Sequence, residues 1–172
     1  MKVDVLTGPL DGRTPAALVL GLFSDERPPR GFPGEADWHL NGLVSRLLAA
    51  GKISAVEGEQ VAILPRWRLS PKTLLLIGLG SSDHLGCDSL HEAGRTIAGA
   101  LTALALDDFA VDIPGAGRCS LPIPAMASSL LRGMADQFDR IKRGKRTVSA
   151  RILGEKHYVT DIFDGINEFH RS

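Results

Sequence analysis

Two glycine-rich turns hold the residues of this 172-residue sequence whose types and spacing suit ligand binding. Gly78-Leu79-Gly80-Ser81-Ser82 follows a short apolar run, and glycine at a strand end can present backbone amides to a phosphate. A dinucleotide fingerprint needs a third glycine three residues after the second, and Asp83 stands there, so a tight strand-to-helix turn is the bland reading. Pro114-Gly115-Ala116-Gly117-Arg118 repeats the arrangement after the next apolar run. Both turns are expected at one edge of the sheet, beyond the carboxyl ends of the strands, where ligands of open α/β sheets bind. Asp112, just before the second turn, suits an adenine amine or a ribose hydroxyl; the structural alternative is a strand-end cap. The candidate ligand-binding residues are Gly78, Gly80, Ser81, Ser82, Asp112, Gly115 and Gly117.

Other chemistries find less. Asp83, His84, Cys87 and His91 form the one metal-like grouping, with Cys87 and His91 sharing a helix face at i and i+4. A structural zinc takes four nitrogen or sulfur ligands and this set offers three, so no metal is expected. Ser81, Ser82 and Cys119 have no histidine partner identifiable from sequence, and no nucleophile elbow exists. Arg118 beside Cys119 would favour a thiolate, but an inert thiol near a helix start is the economical reading. No catalytic residue and no cofactor is expected. The stretch 140–146 sets Arg140, Lys142, Arg143, Lys145 and Arg146 in seven residues. No aromatics interleave them, so a solvated turn that offsets a helix dipole is preferred over nucleic-acid binding.

Composition narrows the classes further. Lys and Arg number twenty and Asp and Glu twenty, which gives no global attraction to nucleic acid or anionic membrane. No apolar run approaches the length of a membrane span. The first residues, Met1-Lys2-Val3-Asp4, read as a strand and not as a signal peptide. Two cysteines are too few for a disulfide framework, which points to a reduced, cytoplasmic chain. Length favours one domain over residues 1–172.

The elements that must position these residues follow from hydrophobic period. Residues 2–7 alternate as a half-wet strand closed by turn chemistry at Gly8-Pro9 and Asp11-Gly12. Residues 16–23 form a near-continuous apolar run and predict a central strand. Residues 24–34, with three prolines, predict an irregular loop. Leu40, Leu43, Val44, Leu47 and Leu48 predict one helix over 35–50, ended by Gly51. Short strands are expected at 61–64 and 73–77, with Trp67 between them. Asp88 is the expected N-cap of a helix whose face is Leu90, Ala93, Ile97, Leu101 and Leu104. Residues 109–113 predict another strand. Ile123, Met126, Leu130, Met134, Phe138 and Ile141 mark a third helix. A strand at 147–153 and a short helix faced by Ile162, Phe163, Ile166 and Phe169 complete the chain. Strands alternating with helices indicate a layered α/β domain with a substantially parallel sheet, made mixed by hairpin-like N-terminal strands.

The ordered series also resembles a known family, the N-terminal domain of the leucine aminopeptidase (cytosol aminopeptidase, M17) family. The residues that carry the resemblance are Ala17-Leu-Val-Leu-Gly-Leu-Phe23, the helical Leu40 to Ala50 with Gly51, and Gly58-Glu59 before the strand 61–64. Leu74-Leu-Leu-Ile-Gly-Leu-Gly80 and Leu90-His-Glu-Ala-Gly-Arg-Thr-Ile-Ala-Gly-Ala100 complete it. The resemblance covers roughly residues 1–140 and implies a macro-domain-like, three-layer α/β/α fold with a mixed, largely parallel sheet. It implies further that zinc-dependent peptidase chemistry belongs to a separate catalytic domain, whose Asn-Thr-Asp-Ala-Glu-Gly-Arg signature this chain lacks. The expectation is therefore a non-catalytic assembly or regulatory module. It would self-associate or pair with a full-length aminopeptidase subunit. The alternative is a binder of a nucleotide or an ADP-ribose-like molecule. A family label alone would make it a metalloaminopeptidase. Nucleic acid and membrane are not expected partners.

Overall fold

The computed structural model describes residues 1–8, 15–66, 68–141 and 147–171. The predicted turns at Gly8-Pro9 and Asp11-Gly12, Trp67 and the basic residues 142–146 lie wholly or partly outside the described residues.

Among the described residues six strands form one sheet: β1 (Lys2–Leu6), β2 (Ala17–Leu22), β3 (Gln60–Ile63), β4 (Thr73–Gly78), β5 (Asp108–Val111) and β6 (Ser149–Leu153), in the order β1-β6-β5-β2-β4-β3. All neighbours pair in parallel except β3, which runs antiparallel to β4 with Gln60 opposite Ile77. The sheet is mixed, as expected, but for a different reason. β1 and β2 form no hairpin: β1 lies at the far edge on β6, and β3 supplies the antiparallel pairing. Five parallel strands therefore deliver their carboxyl ends to one edge.

Among the described residues five α-helices cover the sheet: α1 (Gly31–His39), α2 (Leu43–Ala49), α3 (Cys87–Ala103), α4 (Ile123–Arg140) and α5 (Val159–His170). Because side chains alternate across a strand, β2 and β4 each feed two cores. Ala17, Val19, Leu75 and Ile77 pack beneath α3, α4 and α5. Leu18, Leu20, Leu74 and Leu76 pack beneath α1 and α2. The continuous apolar runs are thus those of strands buried on both faces, the signature of a three-layer α/β/α arrangement. α3 and α4 approach closely at two glycines. A Cβ on Gly94 would collide with the Leu130 carbonyl, and one on Gly133 with the His91 carbonyl.

Three local expectations are corrected. The helix expected over 35–50 is two helices, and α1 begins inside the segment expected to be loop. Asn41 and Gly42 take positive φ values of 55° and 72° and break the helical run. Asp37, 7 % exposed, then accepts the amides of Val44 (2.7 Å) and Ser45 (3.1 Å) and caps α2. Helix α3 is capped by Gly86 and not by Asp88, with the Gly86 amide donating to Ser89 Oγ at 2.8 Å. Leu104 lies past its end and Phe163 on the outer side of α5; both are exposed, so neither belongs to the core face. Gly51, at φ 66°, ends α2 as expected.

Candidate functional site

The carboxyl edge of the sheet holds both glycine turns. Gly21, near the end of β2, packs so tightly between them that a Cβ there would meet Leu79 of one and Pro114 of the other. The turns share an edge but line different hollows.

The turn at 78–80 spends its three amides on the chain's own carbonyls. Gly78 donates to Glu59 (2.8 Å), Leu79 to Leu22 (2.9 Å) and Gly80 to Ala55 (3.0 Å). Gly78 is glycine because residues 55 and 56 press against it, leaving no room for a Cβ beside the Val56 carbonyl. Ser81 and Ser82 serve the same junction. Asp25 accepts from the Ser82 amide (3.0 Å), Ser82 Oγ (2.7 Å) and Ser81 Oγ (3.2 Å). These bonds, the Ser82 hydroxyl's first, hold the Asp25 carboxyl down at about 2. The amides of Gly78, Gly80 and Ser82 and the two serine hydroxyls are thus engaged in joining β2, β4 and the 54–59 loop.

The turn at 113–118 differs. Asp112, 4 % exposed, accepts the Gly21 amide through Oδ1 at 3.1 Å. Burial pushes its carboxyl up to about 7, against the pull of the Gly21 amide and of Arg118. Asp112, Gly115 and Gly117 line a cleft of about 140 Å³ together with Arg118, Tyr158 and the start of α1 at Gly31-Phe32. Gly115 (φ 78°) and Gly117 (φ 70°) take the left-handed conformation, and side chains close over both: Leu85 on Gly115 and Tyr158 on Gly117. Arg118 pairs with Glu26 and lies 5.9 Å from the Phe23 ring centroid, within cation–π range. Asp112 and both glycines are the residues the sequence pattern singles out here. Tyr158 and the start of α1 reach the cleft from sequence-distant elements and carry no local signal.

Cys87, His91 and Cys119 do not line this cleft. His91 Nε2 lies 2.9 Å from Asp136 Oδ2 and so ties α3 to α4. Among the described residues no three His, Cys, Asp or Glu side chains gather in metal-holding geometry. Cys119 is exposed, with Sγ 3.8 Å from Met126 Sδ. No described helix is long and apolar enough to cross a membrane.

Residues 19–146 match the cytosol aminopeptidase family, N-terminal domain. A probable cytosol aminopeptidase of Geobacter sp. (strain M21) is 33% identical over 123 residues, covering 71% of this chain and 24% of that protein. The chain thus spans about a quarter of the length of that relative. Among solved structures, a tomato leucine aminopeptidase mutant (K354E) superposes with TM-score 0.69 at 19% identity, over 99% of this chain and 36% of that one. A Trypanosoma brucei macrodomain in complex with ADP superposes with TM-score 0.76 at 12% identity, over 96% of this chain and 69% of that one.

Proposed function

The chain belongs to the cytosol aminopeptidase family through its N-terminal domain, and from this premise we propose that it is a non-catalytic, cytoplasmic domain that works by association with an aminopeptidase polypeptide. In relatives such as the Geobacter protein, this kind of domain shares a chain with about three-quarters of additional sequence. Its surface therefore has a natural neighbour, whether in the same polypeptide or in another.

One observation carries the reading. At the corner formed by α1, α2 and the end of β3, Trp38 is 75 % exposed and Leu64 72 % exposed. Their surroundings adjoin, because Asn41 lines the hollow beside each. An exposed tryptophan and an exposed leucine on adjoining hollows suit an interface more than a free surface. Three carboxylates outside the Asp112 cleft support the non-catalytic half of the proposal. Asp25, Asp37 and Glu59 are occupied by backbone amides and hydroxyls, which leaves them as caps and not as bases. Hydrolysis of a leucyl chromogenic amide by the purified chain tests this half: none above the blank is expected, and turnover overturns it.

A second reading, a nucleotide or ADP-ribose-like ligand in the Asp112 cleft, has the ADP of the Trypanosoma macrodomain in its favour. Against it stands size. A cavity of about 150 Å³ admits a benzene-sized guest, and the cleft is about 140 Å³. ADP and ADP-ribose are expected to leave the melting temperature unchanged; stabilisation by either would revive this reading.

A further inference from the structure

We propose that the cleft between the start of α1 and the 113–118 turn is a binding site for a free amino acid. Such a ligand carries an ammonium group and a carboxylate on one carbon. The inference goes beyond the association reading and does not depend on it.

The ammonium end is assigned from Asp112. Oδ1 is taken by the Gly21 amide. Among the described residues Oδ2 has no hydrogen-bond partner, and no fully enclosed side-chain nitrogen or oxygen lacks one. Oδ2 is therefore the atom that opens onto the cleft Asp112 lines. A carboxyl group 4 % exposed, with one oxygen facing a small hollow, is matched by a donor, and most strongly by a cationic one.

The carboxylate end is assigned from backbone donors. Within the turn, Ala116 donates to Ile113 (3.1 Å) and Arg118 to Gly115 (2.9 Å). The amides of Gly115 and Gly117 donate to no group among the described residues. The start of α1 adds Gly31 and Phe32 to the same lining, and its N-cap Arg30 supplies no side-chain cap. Free amides of a left-handed turn and of a helix start both favour an anion.

Neither end suffices alone. An anion leaves Asp112 unmatched, and an amine leaves the amides unmatched, whereas an amino acid satisfies both. The wall between them includes Ile113, Leu153 and Ile162, which suits an aliphatic side chain. Besides Asp112, the charged groups lining the cleft are Arg30, Arg118 and Glu155, and Tyr158 adds a hydroxyl. Because burial sets the empty Asp112 near 7, an ammonium ligand binds more tightly above that pH than below it.

The test uses L-leucine as probe on the intact chain, read by thermal shift and by the amide NMR signals of Gly115 and Gly117. Leucine is expected to raise the melting temperature and move both signals. N-acetyl-leucine, which lacks the ammonium, and leucinamide, which lacks the carboxylate, are each expected to bind at least about tenfold more weakly. Asp112→Asn is expected to weaken leucine by a similar factor. The ligand series on the unaltered chain keeps the test independent of how that variant folds. Unmoved glycine signals, equal binding of the acetylated or amidated analogue, unchanged binding to Asp112→Asn, or binding of ADP or ADP-ribose alone would each overturn the proposal.

Discussion

Replacing Asp112 by Asn is expected to make this protein more stable at alkaline pH. Burial raises the Asp112 carboxyl from its ordinary 3.8 to about 7 in the folded chain. Between those values the folded state holds a proton that the unfolded state has released. Stability contributed by this group is therefore complete below pH 3.8, falls as pH rises, and is exhausted above about 7. The window spans about three pH units, and at about 1.4 kcal/mol per unit the loss is up to ~4 kcal/mol. Asn keeps an oxygen for the Gly21 amide and carries no ionisable proton. Urea unfolding of both proteins at pH 5 and pH 8 is the assay. The unaltered chain is expected to lose a few kcal/mol more than the variant between the two conditions. Parallel pH profiles would refute the claim that Asp112 is buried at the cost of its charge. A variant weaker at pH 8 would refute it too.

Two further outcomes follow from packing and capping. Gly133→Ala places a methyl against the His91 carbonyl between α3 and α4, which is backbone and cannot swing aside. A loss of about 1–3 kcal/mol is expected in chemical denaturation, and an unchanged midpoint would show that the two helices are not in that contact. Asp37→Ala removes the acceptor of the Val44 and Ser45 amides. It is expected to cost about 1–2 kcal/mol, most of it restored by Asn; equal losses for Ala and Asn would argue against capping as the cause.

The layered core was legible because β2 and β4 are buried on both faces. Runs such as Leu18-Val19-Leu20 and Leu74-Leu75-Leu76-Ile77 have no polar alternation to misplace. Period alone misled at residues 35–50, where leucines keep helical spacing across a break. The Asn41-Gly42 pair carried the break signal, and Asp37 the cap. The source of the antiparallel pairing was hidden, because nothing local in residues 2–7 says that β6 is their neighbour. The same limit applied at the candidate site. Asp112 and the glycines that follow were readable from their place after an apolar run. That the amides at 78–80 are occupied depends on residues 55 and 59, and that Tyr158 closes over Gly117 depends on a segment 41 residues away. Short-range patterns name strands and turns; which turn stays open is decided by distant chain.

The most direct test of the account is the mass of the purified chain by light scattering, alone and mixed with a cytosol aminopeptidase lacking its own N-terminal domain. A complex is expected, and it should be lost when Trp38 and Leu64 are replaced together by Ala and Asp. A mass that ignores the partner, or a complex indifferent to those two residues, would contradict association through the α1–α2 corner. Self-assembly with no uptake of the aminopeptidase would assign the surface to a second copy of this chain and overturn the choice of partner.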